Sequence, residues 1–199
     1  MANFKTMIRT LMFVFVVLFC ATTFYYYTEQ GNARAESLKP KLPDFEHNDN
    51  QQFLNNVVDC VYYIEHTKPD IHIVNLELLL AQAALESGWG NSRFALEGRN
   101  LFGIRTYDLR EPHMLPSNNP KKWGVRVYHH ECDSVQHYIN IINNGSAYEK
   151  YRELRDNGIE DSLQYVETLG AYAADKKYFP KLRSIIKKLR TEYDIPQLN

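Results

Sequence analysis

The stretch AQAALESGWG, from Ala81 to Gly90, is the most informative part of the sequence. It closes a predicted helix that begins near Asn75, a plausible N-cap, and stops before Gly88. At 100° per residue, Glu86 falls on the same helix face as Leu79. The sequence therefore predicts a helix that ends with a carboxylate on its apolar stripe.

Glu86 is the candidate acid of this turn. A carboxylate on an apolar face is costly to ionise, so we expect the pKa of Glu86 to be raised. The glycines that follow allow a ligand to approach the backbone closely, and Trp89 offers a ring that stacks on a sugar. A carboxylic acid that keeps its proton in a cleft is what a glycosidase uses to protonate a leaving oxygen. The alternative is a helix-terminal Glu86 that only reaches solvent, with Trp89 as a core residue.

Charge and composition exclude several classes of protein. The 199 residues include 23 Lys and Arg against 24 Asp and Glu, a formal net charge of −1. This balance excludes a strongly basic nucleic-acid binder. Hydrophobic residues make up 44% and charged residues 24%, which is typical of a globular domain and not of a disordered chain. The sequence contains no phosphate loop, dinucleotide fingerprint or metal-ligand spacing, so we expect neither a metal nor an organic cofactor.

Residues 1–35 form a cationic and apolar head that predicts a signal peptide or signal-anchor. Lys5 and Arg9 precede the uncharged residues 10–28, which is the order found in export signals. The segment from Ala33 to Ala35 fits a cleavage site, whereas Phe24 and the three tyrosines after it extend the apolar run to spanning length. Both outcomes predict an exported protein, periplasmic or in the cell envelope. Without cleavage, residues 10–28 anchor it in the inner membrane.

The rest of the chain divides into a linker, residues 36–48, and a domain, residues 49–195. Helical periodicity, capping residues and glycine stops predict helices over Gln51–His66 and Asn75–Ser87, after Asp133, Ser146 and Asp161, and over Tyr178–Tyr193. Two segments rich in β-branched and aromatic residues, 100–107 and 122–130, predict strands on either side of a proline-rich loop. The predicted fold class is α+β, mainly α, with a small β-hairpin lobe inserted in a helical domain.

The cysteines leave one question open. Cys20 lies in the apolar head, and Cys60 and Cys132 lie in the domain. In an oxidising compartment these two can pair, but two buried free thiols fit the sequence equally well.

Several motifs, in order along the chain, resemble one enzyme family. AQAALESGWG followed by SRFALEGRNLFGIR is similar to the glucosaminidase family of bacterial cell-wall hydrolases, glycoside hydrolase family 73. The segment Asp133–Leu154 resembles the Bax-type branch, and LGAYAADKKYFPKLRSIIKKL, Leu169–Leu189, resembles the closing motif of the family. The resemblance spans about Phe53 to Leu189. It implies a lysozyme-like fold with a cleft between a helical lobe and a β-lobe.

The resemblance also implies an activity and a set of site residues. It implies hydrolysis of the N-acetylglucosaminyl-β-1,4-N-acetylmuramyl bond in peptidoglycan glycan strands, with Glu86 in the position of the general acid. Tyr172 matches a tyrosine that lines the cleft near the scissile sugar. Asn100 and Phe102 match the segment that leads from the cleft into the β-lobe. The alternatives are that Asn100 is a turn residue and that Phe102 and Tyr172 are core aromatics.

The second carboxylate departs from the family pattern. Asp108, Glu111 and Glu131 lie in the right region, and Glu111 is the best of the three, although it also fits a solvated loop charge. Inverting enzymes hold their carboxyls ~6.5–9.5 Å apart and retaining enzymes ~5–5.5 Å apart. Substrate assistance, in which the N-acetyl oxygen of the sugar attacks, needs Glu86 alone. A lytic transglycosylase and a non-catalytic wall-binding module of the same fold are the competing interpretations.

Overall fold

The computed structural model describes residues 4–37, 40–117, 122–170 and 177–196. The chain divides into two compact units, Met1–Pro40 and Lys41–Asn199. The first unit contains helix α1 (Phe4–Ser37). Within it, Ile8–Gln30 is 23 residues long with a mean hydropathy of 1.9, enough by length and composition to cross a membrane. A signal sequence near the N-terminus meets the same criteria, so cleavage and anchoring both remain predictions.

The described residues of the second unit form mainly helices. These are α2 (Asn50–Thr67), α3 (Leu76–Ser87), α4 (Arg93–Leu96), α5 (Glu131–Asn144), α6 (Glu149–Asp156), α7 (Ser162–Tyr165) and α8 (Tyr178–Glu192). Single 3₁₀ turns precede α6 and follow α7, at Ser146–Tyr148 and Val166–Leu169.

Helix α3 lies at the centre of this unit and has the predicted ends. The side chain of Asn75 accepts a hydrogen bond from the Leu78 amide at 3.0 Å, and Gly88 ends the helix in the left-handed conformation. A helix that is apolar on all sides belongs in a core. The residues from Leu78 to Ala84 are accordingly buried, and α3 packs against α2, α7 and α8. The last turn of α3 brings Glu86 to the edge of that core.

The β-lobe contains one strand more than the sequence indicates. Its antiparallel sheet has the order β1 (Arg105–Thr106), β3 (Gly124–Arg126), β2 (His113–Met114). Strand β2 lies inside the proline-rich connection, where two residues give no detectable period-2 pattern. It exists because His113 and Met114 pair with Arg126 and Val125, a contact that local sequence does not reveal.

A disulfide joins Cys60 on α2 to Cys132 at the start of α5, with 4.9 Å between their Cα atoms. Cys60 and Cys132 are therefore paired and are not the two free thiols that the sequence also allowed. Helix α5 begins three residues earlier than predicted, because His130 caps it in place of Asp133. The imidazole of His130 accepts from the Cys132 amide, and the Asp133 carboxylate accepts from the His130 amide, both at 3.0 Å.

Candidate active site

Glu86 is the penultimate residue of α3 and is partly exposed. Burial raises the pKa of its carboxyl above the ordinary value, and a hydrogen bond from the Tyr178 hydroxyl opposes part of that rise. The direction of the pKa shift is the one that the apolar helix face predicts. Glu86 therefore keeps a proton to higher pH than an ordinary surface glutamate.

The chain turns sharply away from Glu86. Gly88, Trp89 and Gly90 all have positive φ, at 60°, 59° and 79°. Trp89 is in the left-handed region, which costs a residue with a Cβ on the order of 1 kcal/mol. The Ser87 hydroxyl holds the turn, because it accepts from the Gly90 amide at 2.7 Å and donates to the Ala83 carbonyl at 2.5 Å. Glu86 thus lies in the last turn of α3, directly before an abrupt turn that Ser87 fixes.

A chain of buried polar side chains leads to Glu86. The fully buried Gln82 donates from Nε2 to the Tyr178 hydroxyl at 2.7 Å, and its Oε1 accepts from the Tyr138 hydroxyl. The Tyr178 hydroxyl in turn donates to the Glu86 carboxylate. Burial raises the pKa of Tyr178, so it stays a protonated donor. We call Gln82, Tyr138 and Tyr178 the Gln82–Tyr178 relay.

Sequence reasoning missed this relay, although signals for it are present. Gln82 lies four residues before Glu86, so the two share one helix face, and a polar residue in that buried stripe needs a partner. Tyr178 lies four residues before Leu182 on the apolar stripe of α8. The sequence does not show that the apolar stripes of α3 and α8 pack together, which is what brings Tyr178 to Gln82.

The base of the β-lobe lies against the Glu86 carboxylate. A Cβ placed on Gly103 would stand 3.7 Å from Oε2 of Glu86, and Gly103 has a φ of +63°. The strand β1 begins two residues later. The structure thus brings Glu86 together with Gly103 of the NLFGI segment, at the junction of the helical lobe and the β-lobe.

Asn100 and Phe102 are both fully buried. The Asn100 amide makes four hydrogen bonds to backbone groups: Nδ2 donates to the carbonyls of Ile104 and Arg126, and Oδ1 accepts from the amides of Phe102 and Ile104. Phe102 stacks on Tyr138 with 4.2 Å between ring centroids. These contacts shape the loop that carries Gly103. A direct contact of either residue with a substrate stays a prediction.

Glu111 is bound by two other residues of the β-lobe. It accepts from the Thr106 hydroxyl and forms an ion pair with Arg126, both at 2.5 Å. The hydrogen bond from Thr106 lowers the pKa of Glu111 most, followed by contacts with Arg126. Glu111 is therefore an ionised, tethered carboxylate of the β-lobe, and its catalytic role stays a prediction.

Trp89 packs against protein side chains. Its ring lies 6.4 Å from that of Phe53 and 5.4 Å from that of Tyr193, and the Lys188 ammonium lies 5.6 Å from the indole centroid. Stacking of Trp89 on a sugar stays a prediction, as does the role of Tyr172, which lies outside the described residues.

One group of side chains within the described residues has the composition of a metal site. The ligand atoms of Cys60, His130 and Cys132 lie within 4.8 Å of one another. The two sulfurs are joined in the disulfide, so they are not thiolate ligands, and the His130 imidazole caps α5. This cluster is structural in the oxidised protein.

Comparison with known sequences gives a family match over most of the domain. Residues 64–191 match the model of the Glucosaminidase family, described as mannosyl-glycoprotein endo-beta-N-acetylglucosaminidase. The chain is 28% identical over 153 residues to the exo-glucosaminidase LytG of Bacillus subtilis, covering 71% of this chain and 51% of LytG. It is 31% identical over 86 residues to the protein bax of Escherichia coli, covering 43% of this chain and 30% of bax. The chain thus spans about half of LytG and less than a third of bax.

Solved structures share the fold. The catalytic domain of the autolysin Auto from Listeria monocytogenes superposes with a TM-score of 0.53 at 24% identity, covering 81% of this chain and 94% of that domain. The glycoside hydrolase domain of FlgJ from Salmonella typhimurium gives a TM-score of 0.51 at 25% identity, covering 72% and 89%. The lysozyme-like fold that the motifs imply is confirmed. The chain belongs to the Glucosaminidase family of glycoside hydrolases, with similarity to its Bax-type members.

Proposed function

We propose that this protein is a peptidoglycan hydrolase that cleaves the N-acetylglucosaminyl-β-1,4-N-acetylmuramyl bond, with Glu86 as general acid. One observation carries the proposal: a partly buried carboxyl with a raised pKa stands where α3 meets the β-lobe, held by Tyr178. The relatives support the substrate class, since LytG is named an exo-glucosaminidase and the similar FlgJ of Vibrio parahaemolyticus is named a peptidoglycan hydrolase.

In the first step, the protonated Glu86 gives its proton to the glycosidic oxygen that leaves. An acid with a raised pKa is suited to this step near neutral pH, where an ordinary glutamate has already lost its proton. The product of the transfer is a carboxylate. The Tyr178 hydroxyl donates to that carboxylate and stabilises it as the charge forms.

The engagement of Glu111 by Thr106 and Arg126 supports substrate assistance as the complement to the acid. In this mechanism, the 2-acetamido oxygen of the N-acetylglucosamine attacks its own anomeric carbon while the glycosidic bond breaks. The Glu86 carboxylate then takes a proton from a water, which adds to the anomeric carbon and reopens the acetamido ring. Glu86 is reprotonated, and one water is consumed for each bond cleaved. Glu111 is then needed to hold Thr106 and Arg126 in the lobe.

We place this activity in the cell envelope. A wall polymer lies outside the cytoplasm, and Ile8–Gln30 meets the length and hydropathy criteria of a membrane span. The helix α1 serves either as the export signal or as the membrane anchor, and the glycan strand is the partner of the domain.

Mass spectrometry of digested peptidoglycan tests the proposal. The full-length chain in detergent is incubated with purified sacculi, and the ends of the released fragments are identified. Reducing-end N-acetylglucosamine is the expected product. Fragments ending in 1,6-anhydromuramic acid would instead assign a lytic transglycosylase. Binding without release of fragments would assign a wall-binding module, and either of these results overturns the proposal.

A further inference from the structure

An arginine and a tryptophan stack on the surface of the β-lobe. The Arg105 guanidinium on β1 lies 4.0 Å from the centroid of the Trp123 ring, next to β3. Arg105 is exposed and Trp123 is partly exposed. Tyr107, with 71% of its surface exposed, lies two residues beyond Arg105. The lobe therefore presents aromatic surface and a positive charge to solvent within a few residues.

These residues belong to one face of the sheet. Arg105 pairs with Val125 and Thr106 with Gly124, so Tyr107 and Trp123 are the next residues outward on the two strands. Directly paired residues share a face, and side chains alternate along a strand. On β1 burial follows this alternation, because Ile104 and Thr106 are buried whereas Arg105 and Tyr107 are exposed. On β3 it does not, because Val125, the partner of Arg105, is buried. We call Arg105, Tyr107 and Trp123 the β1–β3 platform.

The platform lies close along the chain to the proposed acid. Gly103, two residues before Arg105, is the residue whose Cβ would approach Glu86. An extended chain advances ~3.3 Å per residue, so Arg105 lies no more than ~7 Å farther along the chain than Gly103. A glycan strand that is cleaved at Glu86 and follows β1 passes over the platform.

Arg105 has a charge that the protein leaves available. Within the part of the chain that the structure describes, no carboxylate forms an ion pair with it. The other two arginines of the described lobe are both paired: Arg110 with Asp108 at 2.7 Å and Arg126 with Glu111 at 2.5 Å. The guanidinium of Arg105 is held in place by the Trp123 ring, which leaves its N–H groups free to meet an anion.

We propose that the β1–β3 platform binds the glycan strand beyond the cleaved bond and recognises its acidic peptide stem. The rings of Trp123 and Tyr107 take the apolar face of a sugar, and the Arg105 guanidinium takes a stem carboxylate. This inference rests on the proposed function, because it assigns to the same site a preference for peptide-bearing glycan over bare glycan.

Sedimentation with intact sacculi and with bare glycan coupled to beads tests the proposal, because glycan without its peptide cross-links does not sediment on its own. The full-length chain in detergent is mixed with intact sacculi or with bead-coupled glycan whose stem peptides have been removed by an amidase. Arg105→Gln is expected to weaken binding to intact sacculi about fivefold, the size of a favourable exposed charge contact, and to leave binding to bare glycan unchanged. Trp123→Ala is expected to weaken binding to both substrates. Arg110→Gln is the matched control, an exposed arginine of the same lobe that already has a partner, and is expected to change neither.

Equal losses for Arg105→Gln on both substrates, or equal effects of Arg105→Gln and Arg110→Gln, would overturn the stem-recognition role. Unchanged binding of Trp123→Ala would overturn the platform itself. Thermal melting identifies variants with impaired folding, and Trp123→Leu, which keeps bulk without an aromatic ring, replaces Trp123→Ala if the latter melts early. The proposed function is tested by a different result: if the wild type releases no fragments from either substrate, the proposed function fails. The binding of the variants can still be compared in that case.

Discussion

Removing one hydroxyl, in the variant Tyr178→Phe, separates the chemical role of the Gln82–Tyr178 relay from its structural role. The hydroxyl donates to the Glu86 carboxylate and accepts from Gln82 Nε2 at 2.7 Å. Its bond to Glu86 favours the ionised carboxyl and lowers the pKa, against the larger effect of burial. In Tyr178→Phe the pKa of Glu86 therefore rises further. The alkaline limb of the pH–rate profile, where the acid loses its proton, moves to higher pH.

The same change has a cost for folding. Gln82 is fully buried, so its Nε2 loses its partner without gaining water. A buried donor left unpaired costs about 1–3 kcal/mol. For a chain of this size, that corresponds to a melting temperature lower by about 2–10 °C. We also expect kcat to fall by about tenfold, less than the loss of a general acid, which is about 10²–10⁴-fold.

The assay is release of soluble fragments from sacculi between pH 4 and pH 9, with thermal melting at each pH. Tyr165→Phe is the matched control. Its hydroxyl donates to the Ile159 carbonyl, and no described contact joins it to Glu86. This control is expected to lower the melting temperature and leave the pH profile in place. An alkaline limb that stays fixed or moves to lower pH in Tyr178→Phe would refute the reasoning.

Three further predictions concern the supports of the site. Asn100→Ala removes four hydrogen bonds of a buried side-chain amide. We expect chemical denaturation to show that the free energy of unfolding falls by about 3–4 kcal/mol, against a fall of less than about 0.5 kcal/mol for the exposed Asn157→Ala. Reduction of the disulfide, which joins residues 72 positions apart, is expected to lower the free energy of unfolding by about 4 kcal/mol. In a variant with serine at Cys60 and Cys132, the free energy of unfolding must then be the same with and without reductant. Glu111→Gln is expected to keep fragment release within about tenfold of the wild type, and a loss equal to that of Glu86→Gln would assign Glu111 a direct catalytic role.

The helical part of the fold follows closely from the sequence because its signals are local. The cap at Asn75, the stop at Gly88 and the apolar stripe between them lie within a few residues of one another, and α3 has those ends. The apolar stripe of α8 is equally local, and Leu182, Ile186 and Leu189 on it are buried. The prediction that Glu86 is the acid rests on the same short segment as the ends of α3.

What the sequence could not predict depends on contacts between distant residues. Strand β2 exists through its pairing with β3, and the Asn100 amide reaches the carbonyl of Arg126, 26 residues away. Tyr178 reaches Gln82 from 96 residues away. Each of these contacts requires the packed fold, so a sequence pattern identifies the residue type without identifying its partner.

The variant Glu86→Gln tests the central claim most directly, because it keeps the shape of the side chain and removes the proton. A raised pKa means that ionised Glu86 destabilises the folded state. The neutral carboxyl stabilises the fold fully when the pH is below the pKa that Glu86 has in the unfolded chain. This stabilisation is lost as the pH rises through the pKa that Glu86 has in the folded chain. At neutral pH the variant is therefore expected to melt no lower than the wild type, so a loss of activity is not a loss of fold. We predict that Glu86→Gln binds sacculi but releases fragments at least about a hundredfold more slowly than the wild type. Undiminished release by a folded Glu86→Gln chain would contradict the claim that Glu86 is the acid.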